Sequence, residues 1–158
     1  MPLRTARHDV HLIADLLTIA EAEARALGDA QPGAEHLLLA ALLVGDSSAR
    51  DALALDAATV REAITATHAD ALASVEITTD ASGSPLPRAR GVYRSEVSTQ
   101  EVFQRARRLS RRSSSGLRSA HVLLAVAERE HGTAARVLQR LGLERASVIE
   151  ATQRELTL

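Results

Sequence analysis

The sequence predicts an all-α protein built as two tandem four-helix repeats in a pseudo-twofold arrangement, roughly eight helices in all. Three observations predict it. The apolar material is almost wholly aliphatic: 46% of the 158 residues are hydrophobic, yet the only aromatics are Tyr93 and Phe103. Such side chains suit closely spaced helices better than the interior of a sandwich or barrel. Apolar residues also recur at three- and four-residue steps, which puts them on one helix face. Finally, the chain repeats itself. Glu35-His36-Leu37-Leu38-Leu39-Ala40 is answered 85 residues later by Ala120-His121-Val122-Leu123-Leu124-Ala125. Leu17, Ala20 and Ala24 align with Phe103, Ala106 and Ser110, and Ala49-Arg50 with Ala135-Arg136, at a shift of 86. Leu55 and Val60 align with Leu143 and Val148 at a shift of 88, a drift that small loop insertions explain.

Repeat one is expected over about residues 9–73, a linker over 74–97 and repeat two over 98–156, all in one domain. In the first repeat Leu12, Ile13, Leu16, Leu17, Ala20, Ala24 and Leu27 form an amphipathic stripe, with Asp9 as N-cap and Gly28 as C-terminal stop. After the loop Asp29–Gly33, a helix from Ala34 to about Val44 is apolar nearly all round and should be buried. Gly45-Asp46-Ser47 breaks it. A short helix over Ser48–Leu53 and a longer one over Ala57–Ala73 complete the copy. The second copy opens on Ser98-Thr99-Gln100-Glu101, a capping-box pattern, and its first helix carries Val102, Phe103, Ala106 and Leu109. A Ser- and Gly-rich loop leads to a helix around His121–Arg129. A short helix follows with Val137, Leu138 and Leu141, stopped by Gly142, and then a last helix over about Arg145–Leu156. The linker holds Gly83, Pro85, Pro87 and Gly91, and the alternating Val75–Thr79 could form a short extended arm.

Charge separates the halves. Residues 1–75 carry 5 Arg and 11 acids, a balance of −6; residues 76–158 carry 14 Arg and 9 acids, a balance of +5. All 19 basic residues are Arg. No cysteine is present, which excludes disulfides, thiolate metal sites and a cysteine nucleophile. No apolar run is long enough to span a membrane and no signal peptide opens the chain, so a cytoplasmic protein without membrane partners is expected. There is no Gly-x-Ser-x-Gly and no convincing Ser-His-Asp arrangement, so no catalytic residues, cofactor or enzyme activity is expected.

The string Ala20-x3-Ala24-x2-Leu27-Gly28-x6-Glu35-His36-Leu37-Leu38-Leu39-Ala40-x-Leu42-Leu43 resembles the repeat of the Clp ATPase N-terminal domain, two of which in tandem make a domain of about this length. The second copy departs from the pattern: Ala120 stands where the family has Glu, and Ser113-Ser114 where Leu-Gly is usual. No Gly-x4-Gly-Lys-Ser/Thr phosphate loop occurs, so the sequence looks like a free-standing Clp-N double repeat without the AAA+ motor, closest in character to ClpC-type N-domains of actinobacteria. The resemblance implies a protein- or peptide-binding module of the Clp protease pathway. It would dock Clp substrates or adaptors, regulate them, or act as a decoy for Clp-directed cyclic peptides, with a Clp ATPase as a further partner. It also implies phosphoarginine recognition through the motif Glu, here Glu35.

Site residues follow from the motif. Glu35 stands in the first turn of a helix, where a carboxylate either complements the helix dipole or meets a guanidinium in bidentate fashion. Ala34 and Leu37 flank it, and Ala120 and Arg118 hold the corresponding region of the second copy. His36 and His121 read as buried structural histidines, with no ligand cluster around either, so no metal site is expected. The Arg105, Arg107, Arg108, Arg111 and Arg112 cluster offers the alternative of a nucleic-acid-binding regulator. Net charge of −1 and the scarcity of aromatics weigh against that partner.

Overall fold

The computed structural model describes residues 2–82 and 89–158. Among these it contains eight α-helices and no strand: α1 (Pro2–Ala26), α2 (Ala34–Leu43), α3 (Ser48–Leu53), α4 (Ala57–Ser82), α5 (Ala89–Ser110), α6 (Ser119–Ala127), α7 (Thr133–Arg140) and α8 (Arg145–Thr157). The all-helical, eight-element reading of the sequence holds.

Local chemistry sets the boundaries. Gly28 (φ 85°) ends α1 and Gly142 (φ 71°) ends α7, both in the left-handed region that glycine enters without penalty. Both ends close in the same way. Asp29 N–H donates to Ala24 C=O and Gly28 N–H to Arg25 C=O; Leu143 N–H donates to Leu138 C=O and Gly142 N–H to Gln139 C=O. These are Schellman closures, which satisfy carbonyls that a helix end leaves orphaned.

Helices α2 and α6 form the centre. Nearly every residue of α2 and all of α6 is buried. They pack on each other; α1 covers α2 as α5 covers α6. The pseudo-twofold relation shows in the crossed contacts. Helix α3 packs on α8 and α6, and its counterpart α7 packs on α4 and α2. One continuous apolar cluster therefore includes Leu16, Leu37, Leu38 and Ile64 from the first half and Val102, Leu123, Val137 and Val148 from the second.

Four expectations need correction. Asp9 is not an N-cap, because α1 begins at Pro2. Its carboxylate instead accepts a hydrogen bond from Leu117 N–H at 2.9 Å, tying α1 to the loop before α6. Ser98–Glu101 does not open a helix, since α5 starts at Ala89; Thr99 Oγ1 donates to Pro32 C=O at 2.7 Å instead. Val75–Thr79 is helical, as part of α4. The expected 74–97 linker is thus helical at both ends, with Gly91 inside α5; Gly83, Pro85 and Pro87 lie outside the described residues. The physical reason is that extending a helix adds a bond per residue without a fresh nucleation cost. The β-branched residues of 75–79 oppose that by only about half a kcal/mol each relative to alanine.

Candidate functional site

Two motif histidines organise the helix starts that the repeats share. His36 is the third residue of α2, and its Nδ1 accepts a hydrogen bond from Gly33 N–H at 2.9 Å. His121 is the third residue of α6, and its Nδ1 accepts from Arg118 N–H at 3.0 Å. Each ring does for its helix what Glu or Gln does in a capping box. Both rings are buried. Burial pushes His121 below the ordinary histidine range.

Beyond this shared device the two helix starts differ. At α6, Asp46 and two serines form a clasp between the repeats. Asp46 accepts from Ser119 N–H (2.6 Å) and Ser48 N–H (3.1 Å). Ser119 Oγ accepts from Ala49 N–H (3.1 Å), and Ser48 Oγ accepts from Ala120 N–H (3.0 Å). The first turns of α3 and α6 are thus capped by each other's serines. Burial would raise the Asp46 carboxyl, but the Ser119 and Ser48 donors and the Arg118 charge hold it below the usual carboxylate range. The pseudo-symmetric place of Ser119 is Ala34, so the clasp exists once.

At α2 the corresponding space is filled by charge. Gly33 leaves room for the Glu35 carboxylate to fold back, with Oε2 2.7 Å from where a Cβ would stand. Asp29, from the α1–α2 loop, and His68, from α4, complete the group. His68 Nδ1 lies 3.5 Å from Asp29 Oδ2, and His68 Nε2 lies 3.7 Å from Glu35 Oε1. His36 Nε2 stands 3.0 Å from Asp29 Oδ2 and its Nδ1 3.7 Å from Glu35 Oε1. Burial pushes the Glu35 carboxyl up, but His68, its own backbone N–H and the neighbouring imidazole rings outweigh this and hold it below the usual carboxylate range. The Glu35 carboxylate in turn raises His68, against burial and with help from Asp29. At 3.7 Å this is a charge contact more than a full hydrogen bond. Glu35 is 14% exposed, His68 24% and Asp29 36%, so solvent reaches the group.

The other candidate residues fall as follows. Ala34, Leu37 and Ala120 are buried, so their side chains shape the packing beneath the site and present nothing to a ligand. Arg118 pairs with Glu155 at 3.1 Å. Arg105 binds Glu128 through both Nε (2.6 Å) and a terminal nitrogen (2.9 Å), while Arg107, Arg108, Arg111 and Arg112 are exposed. Sequence reasoning missed Asp29 and His68, and with them a group able to hold a metal: the expectation that no ligand cluster surrounds His36 is corrected by Asp29, Glu35 and His68, which converge beside it. Only the Asp29–Glu35 spacing was visible; His68 arrives on a helix more than thirty residues away.

A cleft of about 530 Å³ runs beside Asp29, between α1 with its following loop and the middle of α5, lined by Leu17, Glu21, Arg25, Pro32 and Thr99 among others. Among the described residues no helix is long and apolar enough to cross a membrane.

Helices paired across a pseudo-twofold axis, with a histidine closing the start of each central helix, define a double-repeat helical module. The family model of the Clp repeat (R) N-terminal domain matches residues 13–141, and the chain belongs to that family. This makes it a Clp-family protein-interaction module, of a domain type that is not itself catalytic. No curated protein matches the chain.

Proposed function

We propose that the chain is a docking module of the Clp protease pathway that receives a protein or peptide segment at the start of α2, with Glu35 as the recognising carboxylate. One observation carries this reading: of the two equivalent motif positions, Glu35 presents an ionised, solvent-reached carboxylate, whereas Ala120 is buried and uncharged. Asp29 extends that negative edge into the adjoining cleft, whose walls mix apolar Leu17 and Pro32 with the charges of Glu21 and Arg25. Such an edge suits a cationic group, above all an arginine guanidinium, which meets a carboxylate through two parallel hydrogen bonds.

In this role the module docks substrates or adaptors for a cytoplasmic Clp motor, or competes for them as a regulator. An arginine-phosphorylated segment fits the Glu35 carboxylate through its guanidinium, and cyclic peptides would compete for the same cleft. One site per chain removes the avidity that a symmetric pair would give. The test is fluorescence anisotropy with a labelled arginine-phosphorylated peptide and its unmodified twin. Glu35→Ala should weaken binding about 10- to 100-fold, the worth of a charge-assisted hydrogen bond. Equal binding by both proteins would remove Glu35 from the role.

A further inference from the structure

The α1–α2 loop, the first turn of α2 and the middle of α4 bring three metal-binding side chains to one point. One donor atom from each of Asp29, Glu35 and His68 can be chosen so that all lie within 4.8 Å of one another. Donors around a zinc-sized ion at about 2.0–2.1 Å stand about 3.3 Å apart in a tetrahedron. The 3.5 Å between His68 Nδ1 and Asp29 Oδ2 is already close to that edge.

His36 supplies an independent observation. Its ring is fully buried and aimed at the group. Although Nε2 lies 3.0 Å from Asp29 Oδ2, the two atoms are not aligned as a hydrogen bond, and neither has any other hydrogen-bond partner. Buried polar atoms are rarely left so. The His36 tautomer also assigns its part. Because Nδ1 accepts from Gly33 N–H, the neutral ring carries its proton on Nε2. Coordination through Nε2 would put a proton on Nδ1, facing the Gly33 N–H. His36 is therefore not a ligand; its Nε2 lies against the carboxylate of one, Asp29.

We infer that Asp29, Glu35 and His68 form a binding site for a divalent transition-metal ion of the zinc type, with a coordination position left open to solvent. Two carboxylates and a neutral imidazole balance the ion's charge. Mixed oxygen and nitrogen donors favour zinc and its neighbours over magnesium or calcium. Three protein donors leave a fourth place, as in sites that exchange a ligand. Coordination requires the neutral His68 ring, so any proton the ring carries leaves as the ion enters. The ion would pin α4 to the α1–α2 loop. This goes beyond the peptide reading and does not depend on it, since metal binding is measured with no peptide present.

The experiment is isothermal titration of zinc chloride into the full chain at pH 7, in two buffers of different ionisation enthalpy. One ion per chain and a buffer-dependent heat are expected. His68→Gln and Asp29→Asn should each lower affinity at least about 10-fold, while His11→Gln, which removes one of the surface pair His8 and His11, should leave it unchanged. Zinc X-ray absorption on the wild-type protein gives a readout that needs no variant, with one imidazole among oxygen donors expected. Absence of binding at millimolar zinc, unchanged affinity in His68→Gln, or a spectrum with two or more imidazoles would each overturn the assignment. Peptide anisotropy on chelator-treated protein reports separately on Glu35, so failure of one reading leaves the other standing.

Discussion

Glu35 and His68 hold each other charged, and this couples the site to pH. The folded pKa of His68 is raised, so the stability it contributes is complete below the ordinary histidine value of 6.5 and is lost as pH rises through the raised value. The folded pKa of Glu35 is lowered, so its contribution is present above the ordinary 4.5 and is lost as pH falls through the lowered value. Asp29 and His36 face the same pair. With a chelator present, the difference in melting temperature between the wild-type protein and His68→Gln should therefore be largest between about pH 4.5 and 6.5 and shrink towards pH 9. A difference that grows with pH in circular-dichroism melts would contradict the pairing. Leu37, two residues from Glu35, acts only through packing. Leu37→Ala should cost about 2–5 kcal/mol in urea unfolding, and a loss under 1 kcal/mol would show that the site beneath Glu35 collapses without strain.

Among the elements, the mutual capping of α3 and α6 is the feature with the clearest energetic signature. Ser119→Ala removes a donor and an acceptor from a buried network and leaves Ala49 N–H unsatisfied. A loss of about 1–3 kcal/mol is expected, seen as a melting temperature lower by several degrees. Ala34→Ser, at the pseudo-symmetric position, tests whether a second clasp can be created; no gain is expected, because His131 rather than an acid stands where Asp46 would be needed. The end of α3 points the other way. Ala54 is the only non-glycine among the described residues with a positive φ, at 54°. Ala54→Gly should relieve part of the left-handed penalty and stabilise by about 0.5–1 kcal/mol.

At the scale of the molecule, the repeats are not separable units. Helix α4 of the first leans on α7 of the second, α8 on α3, and the apolar cluster runs through both. A fragment ending at Ser82 leaves the α2 and α4 faces bare, and should lack a cooperative melt and native helical content by circular dichroism. Cooperative folding of that fragment would show that each repeat carries its own sufficient core. The same sharing explains how one half could become acidic and the other Arg-rich without disturbing the architecture. Charge lies on the outer faces, as in the Arg105–Glu128 and Arg129–Glu101 pairs, while the axis is aliphatic.

The sequence by itself determined the helical class, the duplication and the starts of α2, α3, α4 and α8, because apolar period and helix punctuation are local signals read within one or two turns. The repeated spacing also singled out His36 and His121, and the family resemblance singled out Glu35. The sequence misplaced the beginnings of α1 and α5 and the far end of α4, because Asp9 and Ser98–Glu101 carry start signals inside helices that run through them, and the alternating 75–79 stretch reads as extended where α4 continues. Only the tertiary structure decided that Asp9 serves Leu117, that Asp46 joins Ser48 to Ser119, and that His68 meets Asp29 and Glu35. Those groups come from elements tens of residues apart. Their meeting follows from how the helix faces cross, and one-dimensional spacing does not encode that crossing.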